Sequence, residues 1–307
     1  MMKEHLSHPK RRRAVIALTV LTCVWGTTFI IVQRALADVT PLLFAAIRFS
    51  IALVCFVGFF PVARTGIRML FSPRTPDERI LRKDATIIGI SLGVGYIFQF
   101  LGLLTTTTSK SAFLTATTIL WTPLFSGLLG HEKFSVRKVL TVLAAAVGIV
   151  LLIHPYPIEK IVIGDVFSAL CAVAFGAYIL WLDTTNPILK KVVPKESNAA
   201  IILATMQLTV ALGVILVTMP FVESPHITVT GNDIFAILYT AILTTAISTF
   251  MQAYYQKEIT PTAATLIYTL EPVVTALIGF ILVGETMNPA ELAGCGLIIG
   301  AMIAGQV

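Results

Sequence analysis

Charge is scarce in this sequence. Only 12% of the 307 residues are Asp, Glu, Lys or Arg, whereas 56% are hydrophobic and the mean hydropathy is +0.89. A soluble domain carries about 25% charged residues, and no water-soluble fold has an interior large enough to hide this much apolar surface, so a soluble enzyme or binding module is excluded. Reactive motifs are missing too. The four cysteines, Cys23, Cys55, Cys171 and Cys295, all sit in apolar runs, and none forms a CxxC pair, so there is neither a disulfide framework nor a zinc site. The five histidines, His5, His8, His131, His154 and His226, fall at the ends of apolar runs or between them, which excludes a mid-membrane histidine relay. His131-Glu132 lacks the second histidine of a zinc hydrolase. No GxxxxGKS/T loop exists to cradle ATP and no GxSxG elbow presents a nucleophile. Nothing calls for a metal, a cofactor or a nucleic-acid partner, and an enzymatic reading has no residue to rest on.

What is present is a succession of apolar runs, each close to the roughly 20 residues that a helix needs to cross about 30 Å of hydrocarbon. They place ten spans at roughly 14–36, 42–63, 84–104, 109–130, 136–153, 163–182, 198–220, 232–256, 261–283 and 290–306. Pro41, the Arg64–Asp84 stretch with Pro73 and Pro76, His154-Pro155-Tyr156-Pro157, Asn186-Pro187, Glu223-Ser224-Pro225 and Pro289 interrupt the runs where a helix must stop or turn. The spans must be helical, because an open strand in lipid leaves its backbone groups without partners. Arg11-Arg12-Arg13 and the apolar run up to Ala35-Leu36-Ala37 invite comparison with a cleaved secretory signal. That run is longer than a signal's roughly 7–15 apolar residues, ends in Gln33-Arg34, and passes at once into another span.

The net charge of +6 is unevenly placed. Eighteen of the 22 basic residues fall in the N-terminal segment and in every second loop after it, only Arg34, Lys110 and Lys160 fall in the alternate loops, and Arg48 lies within span two. The positive-inside rule then puts both termini in the cytoplasm of an inner, or plasma, membrane, with an even number of crossings. The chain divides into a basic N-terminal segment, 1–13, and two five-helix repeats, 14–153 and 163–307.

The repeats are legible in the residues. Thr107–Glu132 and Thr260–Glu285 each have a threonine-rich entry, a mid-span proline (Pro123, Pro272) and a closing acid. Each is followed by a short span rich in small residues, with Gly148 in one and Gly294, Gly296 and Gly300 in the other. Trp25-Gly26-Thr27-Thr28-Phe29 has its counterpart in Phe175-Gly176-Ala177-Tyr178, and equivalent positions differ by about 150–153 residues. Five spans per half is an odd number, so the second copy lies upside down relative to the first, an architecture whose solute site is at the repeat interface near the midplane.

With Trp25–Phe29, Arg48-Phe49, Ser111-Ala112-Phe113-Leu114-Thr115 before Pro123, and Leu270-Glu271-Pro272-Val273-Val274 running to Gly284-Glu285, the chain resembles the drug/metabolite transporter superfamily, in particular its ten-span EamA-type members. The resemblance covers both halves. It implies an alternating-access carrier with a central cavity, in a family that exports amino acids, other metabolites and drugs and in some members imports sugars or nucleotide-sugars. Two departures stand out: Phe175 occupies a position where tryptophan is usual, which makes the two cavity walls unequal, and no basic tail follows span ten.

Candidate site residues follow from the cost of polarity in lipid. A carboxylate facing lipid at the middle of span nine costs on the order of 3 kcal/mol, so Glu271 faces protein or water, and Ala264, Tyr268, Glu271 and Thr275 share one helical stripe. Glu271 is either a ligand and proton-coupling group or a partner that fixes the kink at Pro272. Arg48 is a fork suited to a carboxylate or phosphate; snorkelling, or an ion pair with Asp38, explains it equally well. Gln99, Gln207 and Gln252, with Trp25, Tyr96, Trp121, Tyr178 and Tyr268, make an aromatic, amide-dotted wall for a small organic solute or, taken singly, interhelical contacts. The expected partners are a small-molecule substrate, the lipid bilayer and protons as coupling ion. A metabolite exporter, an exporter of cationic drugs and a non-transporting membrane protein or channel all remain open, as do monomer and homodimer.

Overall fold

The computed structural model describes residues 8–133, 135–153, 161–228, 230–278 and 288–306. Among these residues the protein is helical, and the only β pairing is an isolated antiparallel bridge between Val39 and Ile227.

Span one is α1 (His8–Gly26) continued by α2 (Thr28–Ala35), and span two is α3 (Pro41–Phe59). A short helix, α4 (Ala63–Phe71), precedes span three, α5 (Pro76–Leu103). Span four is α6 (Thr108–Ala116) followed by α7 (Thr118–Leu128), and α8 (Val136–Ile153) stands where span five is expected. In the second half, α9 (Ile163–Thr184) is followed by short α10 (Asn186–Val192) and by α11 (Glu196–Val222). Span eight is α12 (Gly231–Ala241), a π-helical turn (Ile242–Ile247), α13 (Ser248–Tyr255) and a terminal turn (Gln256–Glu258). Span nine is α14 (Pro261–Tyr268) with α15 (Leu270–Ile278), and span ten is α16 (Pro289–Gln306). Nine helical segments among the described residues are long and apolar enough to cross a membrane. The tenth, α8, is 18 residues long, opens on Arg137 and Lys138, and packs along α16. Residues 279–283 of span nine, Gly284-Glu285, and the break with His154, Glu159 and Lys160 lie outside the described residues.

Several prolines that interrupt the apolar runs begin helices. Pro41, Pro76 and Pro289 occupy first turns, where a missing N–H costs nothing. The Arg64–Asp84 interruption is therefore largely helical: α5 starts at Pro76 and its 28 residues extend about 42 Å at 1.5 Å per residue, well beyond the hydrocarbon. Thr75 Oγ1 accepts the Glu78 N–H at 3.1 Å, and the Glu78 carboxylate takes both prongs of Arg68 at 2.9 and 3.0 Å, which fixes α4 to α5. The repeat-related threonines act alike, since Thr107 and Thr260 cap α6 and α14 by accepting the N–H of Lys110 and Ala263, each at 3.2 Å.

Ion pairs and hydrogen bonds between loops sort the loops into two ends. At one end Lys191 meets Asp77 (2.8 Å), Glu196 meets both Lys10 (3.6 Å) and Lys257 (3.0 Å), and Glu132 accepts from the Thr262 N–H (3.1 Å). At the other, Glu223 caps α3 through the N–H groups of Leu42 and Leu43 (both 2.9 Å), His226 and Thr40 bond each other, and Lys110 meets Asp165 (2.8 Å). The first end carries the basic loops and is called the basic end below.

The halves are joined by repeat-related contacts. A Cβ on Gly26 would lie 2.7 Å from the Val274 side chain, and one on Gly176 would lie 2.8 Å from Trp121 Cβ. Span one therefore closes on span nine as span six closes on span four. Gly148 and Gly294 bring α8 and α16 backbone to backbone: a Cβ on Gly148 would stand 2.9 Å from the Gly294 carbonyl oxygen. Glycine is what permits these distances.

Candidate functional site

Between the halves lies a cavity of about 100 Å³. Spans one to four supply one wall, and spans six, eight and nine the other. It gathers eight of the ten residues singled out from the sequence: Trp25, Arg48, Tyr96, Gln99, Tyr178, Gln252, Tyr268 and Glu271. Trp121 and Gln207 stand apart from it. Trp121 packs against Gly176 and rests on Phe125, with ring centroids 6.0 Å apart. Gln207 is fully enclosed where α11 meets α5, and neither of its amide atoms has a hydrogen-bond partner among the described residues.

Local breaks in three spans open the cavity. The helices stop at Thr27, Thr117 and Thr269, and each of these hydroxyls donates to the carbonyl three residues earlier, that of Val24 (2.7 Å), Leu114 (2.6 Å) and Leu266 (2.7 Å). Span nine breaks at Thr269, and Pro272 follows in the first turn of α15. Span four breaks at Thr117, ahead of Pro123, which lies inside the continuous helix α7. The threonine thus marks the bend in both, and the proline in one.

Arg48 is 2% exposed, so it does not snorkel, and its partner is not Asp38. Its guanidinium reaches across to the π-helical turn of span eight: Nε donates to Thr245 Oγ1 at 2.7 Å, and Nη2 donates to Thr244 Oγ1 (3.2 Å), the Thr244 carbonyl (3.4 Å) and, weakly, Tyr96 Oη (3.5 Å). A π turn shifts each backbone bond by one residue, which turns carbonyls and hydroxyls off the regular ladder. Thr245 Oγ1 meanwhile donates to the Thr240 carbonyl at 2.9 Å. The rings of Tyr96, Phe100 and Phe49 surround the cation, with centroids 4.7, 5.6 and 5.9 Å from Cζ. All of these partners are neutral.

Glu271, half-buried, lines the same cavity, and among the described residues its carboxylate has neither an ion pair nor a hydrogen bond. Its backbone is held: the Glu271 carbonyl accepts from Thr275 Oγ1 at 3.0 Å, and the same hydroxyl lies 2.9 Å from the Gly26 carbonyl. Among the described residues the bend is held through this backbone contact and not through the carboxylate.

Most of the other polar groups close the cavity toward the basic end. Tyr178 donates to Gln252 Oε1 and Tyr268 to Gln256 Oε1, both at 3.0 Å. Gln256 Nε2 donates to the Ile179 carbonyl (2.9 Å) and Trp25 Nε1 to Ser248 Oγ (2.8 Å), while the Trp25 and Tyr268 rings lie 5.1 Å apart. Sequence reasoning missed Thr244, Thr245 and Gln256. The hydroxyl-rich run Thr240, Thr244, Thr245, Ser248 and Thr249 within one apolar span was the available signal.

A bundle of long apolar helices in two repeats, with a mostly apolar cavity between them that carries Arg48 and Glu271, defines a multi-pass membrane transporter. The chain belongs to the EamA-like transporter family, whose sequence profile matches residues 12–154 and 162–304. It is 28% identical to an uncharacterized transporter of Archaeoglobus fulgidus over 96% of this chain and 86% of that one. It is 25% identical both to the protein PecM of Dickeya dadantii (92% and 89% covered) and to the uncharacterized inner membrane transporter YedA of Escherichia coli K12 (94% and 88% covered). A crystal structure at 19% identity superposes with a TM-score of 0.70 over 97% of this chain and 96% of that one, a likeness of fold.

Proposed function

We propose that the protein exports a small metabolite carrying a carboxylate, such as an amino acid, across the inner membrane by alternating access, with its basic end in the cytoplasm. The observation that carries this reading is Arg48: a buried cation at the cavity wall whose partners are all neutral. An unpaired buried charge costs several kcal/mol, and a substrate carboxylate relieves that cost on binding. Glu271 supplies an opposite pole for an ammonium group, or for the proton that drives export, and the aromatic wall takes the apolar part of the solute. Cavity residues come from both repeats, so rocking one half against the other changes which side the site faces. Export of cationic drugs is favoured by the unpaired Glu271 and by the aromatic rings, and opposed by Arg48 in the same small cavity.

Reconstitution in liposomes tests this. Amino acids, nucleobases, sugars and cationic dyes are screened for uptake and counterflow with the wild-type chain and with Arg48→Gln. Carboxylate solutes should move, and Arg48→Gln should weaken them selectively. Movement of cationic dyes alone, undiminished by Arg48→Gln, would overturn the proposal.

A further inference from the structure

The donors around Arg48 outnumber the acceptors. Nε and Nη2 are engaged, but Nη1, which carries two N–H groups, makes no hydrogen bond among the described residues, and it is not among the fully enclosed atoms that lack a partner, so it opens onto the cavity. Among the described residues Tyr96 Oη only accepts, from Nη2, and its own proton has no acceptor, although the ring lines the same cavity beside the guanidinium. Two sets of donors thus converge beside a full positive charge, in a pocket whose wall includes the ring of Phe100, with the fully buried Phe49 ring on the guanidinium as well. Donors without acceptors around a buried cation describe an anion site.

The geometry points to a resident anion: in the absence of solute the carrier holds a small monovalent inorganic anion, such as chloride, between Arg48 Nη1 and the Tyr96 hydroxyl. Size and charge follow from the surroundings. Nε and Nη2 are tied to the π turn, so the fork cannot offer its usual two-pronged edge and presents a single nitrogen, which suits a spherical ion. With a proton on the Glu271 carboxyl, one negative charge neutralises Arg48. A divalent anion such as sulfate would leave excess negative charge in the cavity that also contains the Glu271 carboxyl. The inference rests on Arg48 as the anionic pole proposed above, and it adds that substrate enters by displacing an ion.

The test is the line broadening of the chlorine NMR signal of sodium chloride by the purified full chain in detergent, compared with detergent alone. The wild type should broaden the line, and sodium nitrate should reverse the broadening where sodium sulfate at equal ionic strength does not. Arg48→Gln should abolish it. Tyr96→Phe keeps the charge and removes one donor, so it should weaken chloride binding about 10- to 100-fold, the effect of one hydrogen bond to a charged group. Should Arg48→Gln fail to fold, as judged by circular dichroism and elution volume, Tyr96→Phe decides. Absence of broadening by the wild type, unchanged broadening in both variants, or equal displacement by sulfate overturns the site. Chloride binding without any carboxylate transport would leave this inference standing and remove the function proposed above; Arg48-dependent carboxylate transport without chloride binding would do the reverse.

Discussion

Thr245→Val isolates the part of the site that orients the cation. Valine keeps the shape of threonine and loses the hydroxyl, which accepts from Arg48 Nε at 2.7 Å and donates to the Thr240 carbonyl at 2.9 Å. Nε has no other partner among the described residues, so the change leaves a charged donor unsatisfied inside the bundle, while the Thr240 carbonyl keeps its bond from Thr244 Oγ1 at 3.0 Å. A hydrogen bond to a charged group contributes about 1.5–3 kcal/mol, and each 1.4 kcal/mol is tenfold. If the guanidinium shifts to recover a partner, affinity for a transported carboxylate should therefore fall about 10- to 100-fold. Thr244→Val removes a longer contact, 3.2 Å, and leaves the 3.4 Å bond to the Thr244 carbonyl in place, so its effect should be a few-fold at most. Thr245→Ser, which restores the hydroxyl, should recover most of the loss. The assay is the KM for counterflow in liposomes, measured for a carboxylate solute and for its neutral amide. Equal losses for the two solutes would show a collapsed cavity and not a misplaced cation, and an unchanged KM in Thr245→Val would refute the positioning argument outright.

Glu271→Gln keeps the shape of the side chain and removes its titration, so it should abolish transport driven by a pH gradient while sparing counterflow; full gradient-driven transport in this variant would remove Glu271 from the coupling step. Pro272→Ala should straighten span nine and lower turnover more than affinity, since the bend at Thr269 adjoins it; an unchanged turnover with weakened binding would place the proline in the site itself. Single cysteines at Arg79 and Lys190 should react with reagents confined to the cytoplasm, and cysteines at Glu223 and His226 with reagents outside; the opposite pattern would invert the map.

The helices were legible because lipid makes their signal long. Twenty apolar residues in a row admit few alternatives, and the pairing of loops at two ends agrees with the alternation read from the basic residues. Prolines were less legible, since the same missing N–H suits a helix start and a helix stop, as Pro76 demonstrates. Within the site, Arg48 and Glu271 stood out because charge in a span has few places to go. Gln207 was misplaced for the converse reason: Ala199 to Leu208 are buried in succession, so that stretch of α11 has no lipid-facing side against which a polar face could be read. Trp121 marked a packing contact, because what its Cβ meets is a glycine far along the chain. The π turn carries no signature of its own, so the partners of Arg48 could not be named.

The glycine contacts between the halves govern the order in which the molecule can be assembled. Gly26 seats against Val274, Gly176 against Trp121, and Gly148 against Gly294, so every close seam of the first half is completed by a helix translated later. A nascent chain that has inserted only residues 14–153 presents bare glycine grooves to the lipid, with nothing yet made to fill them. Span one must wait for span nine, and α8 for α16. The two halves are therefore repeats in sequence and partners in synthesis, and the first is not closed until α16 has followed it into the membrane.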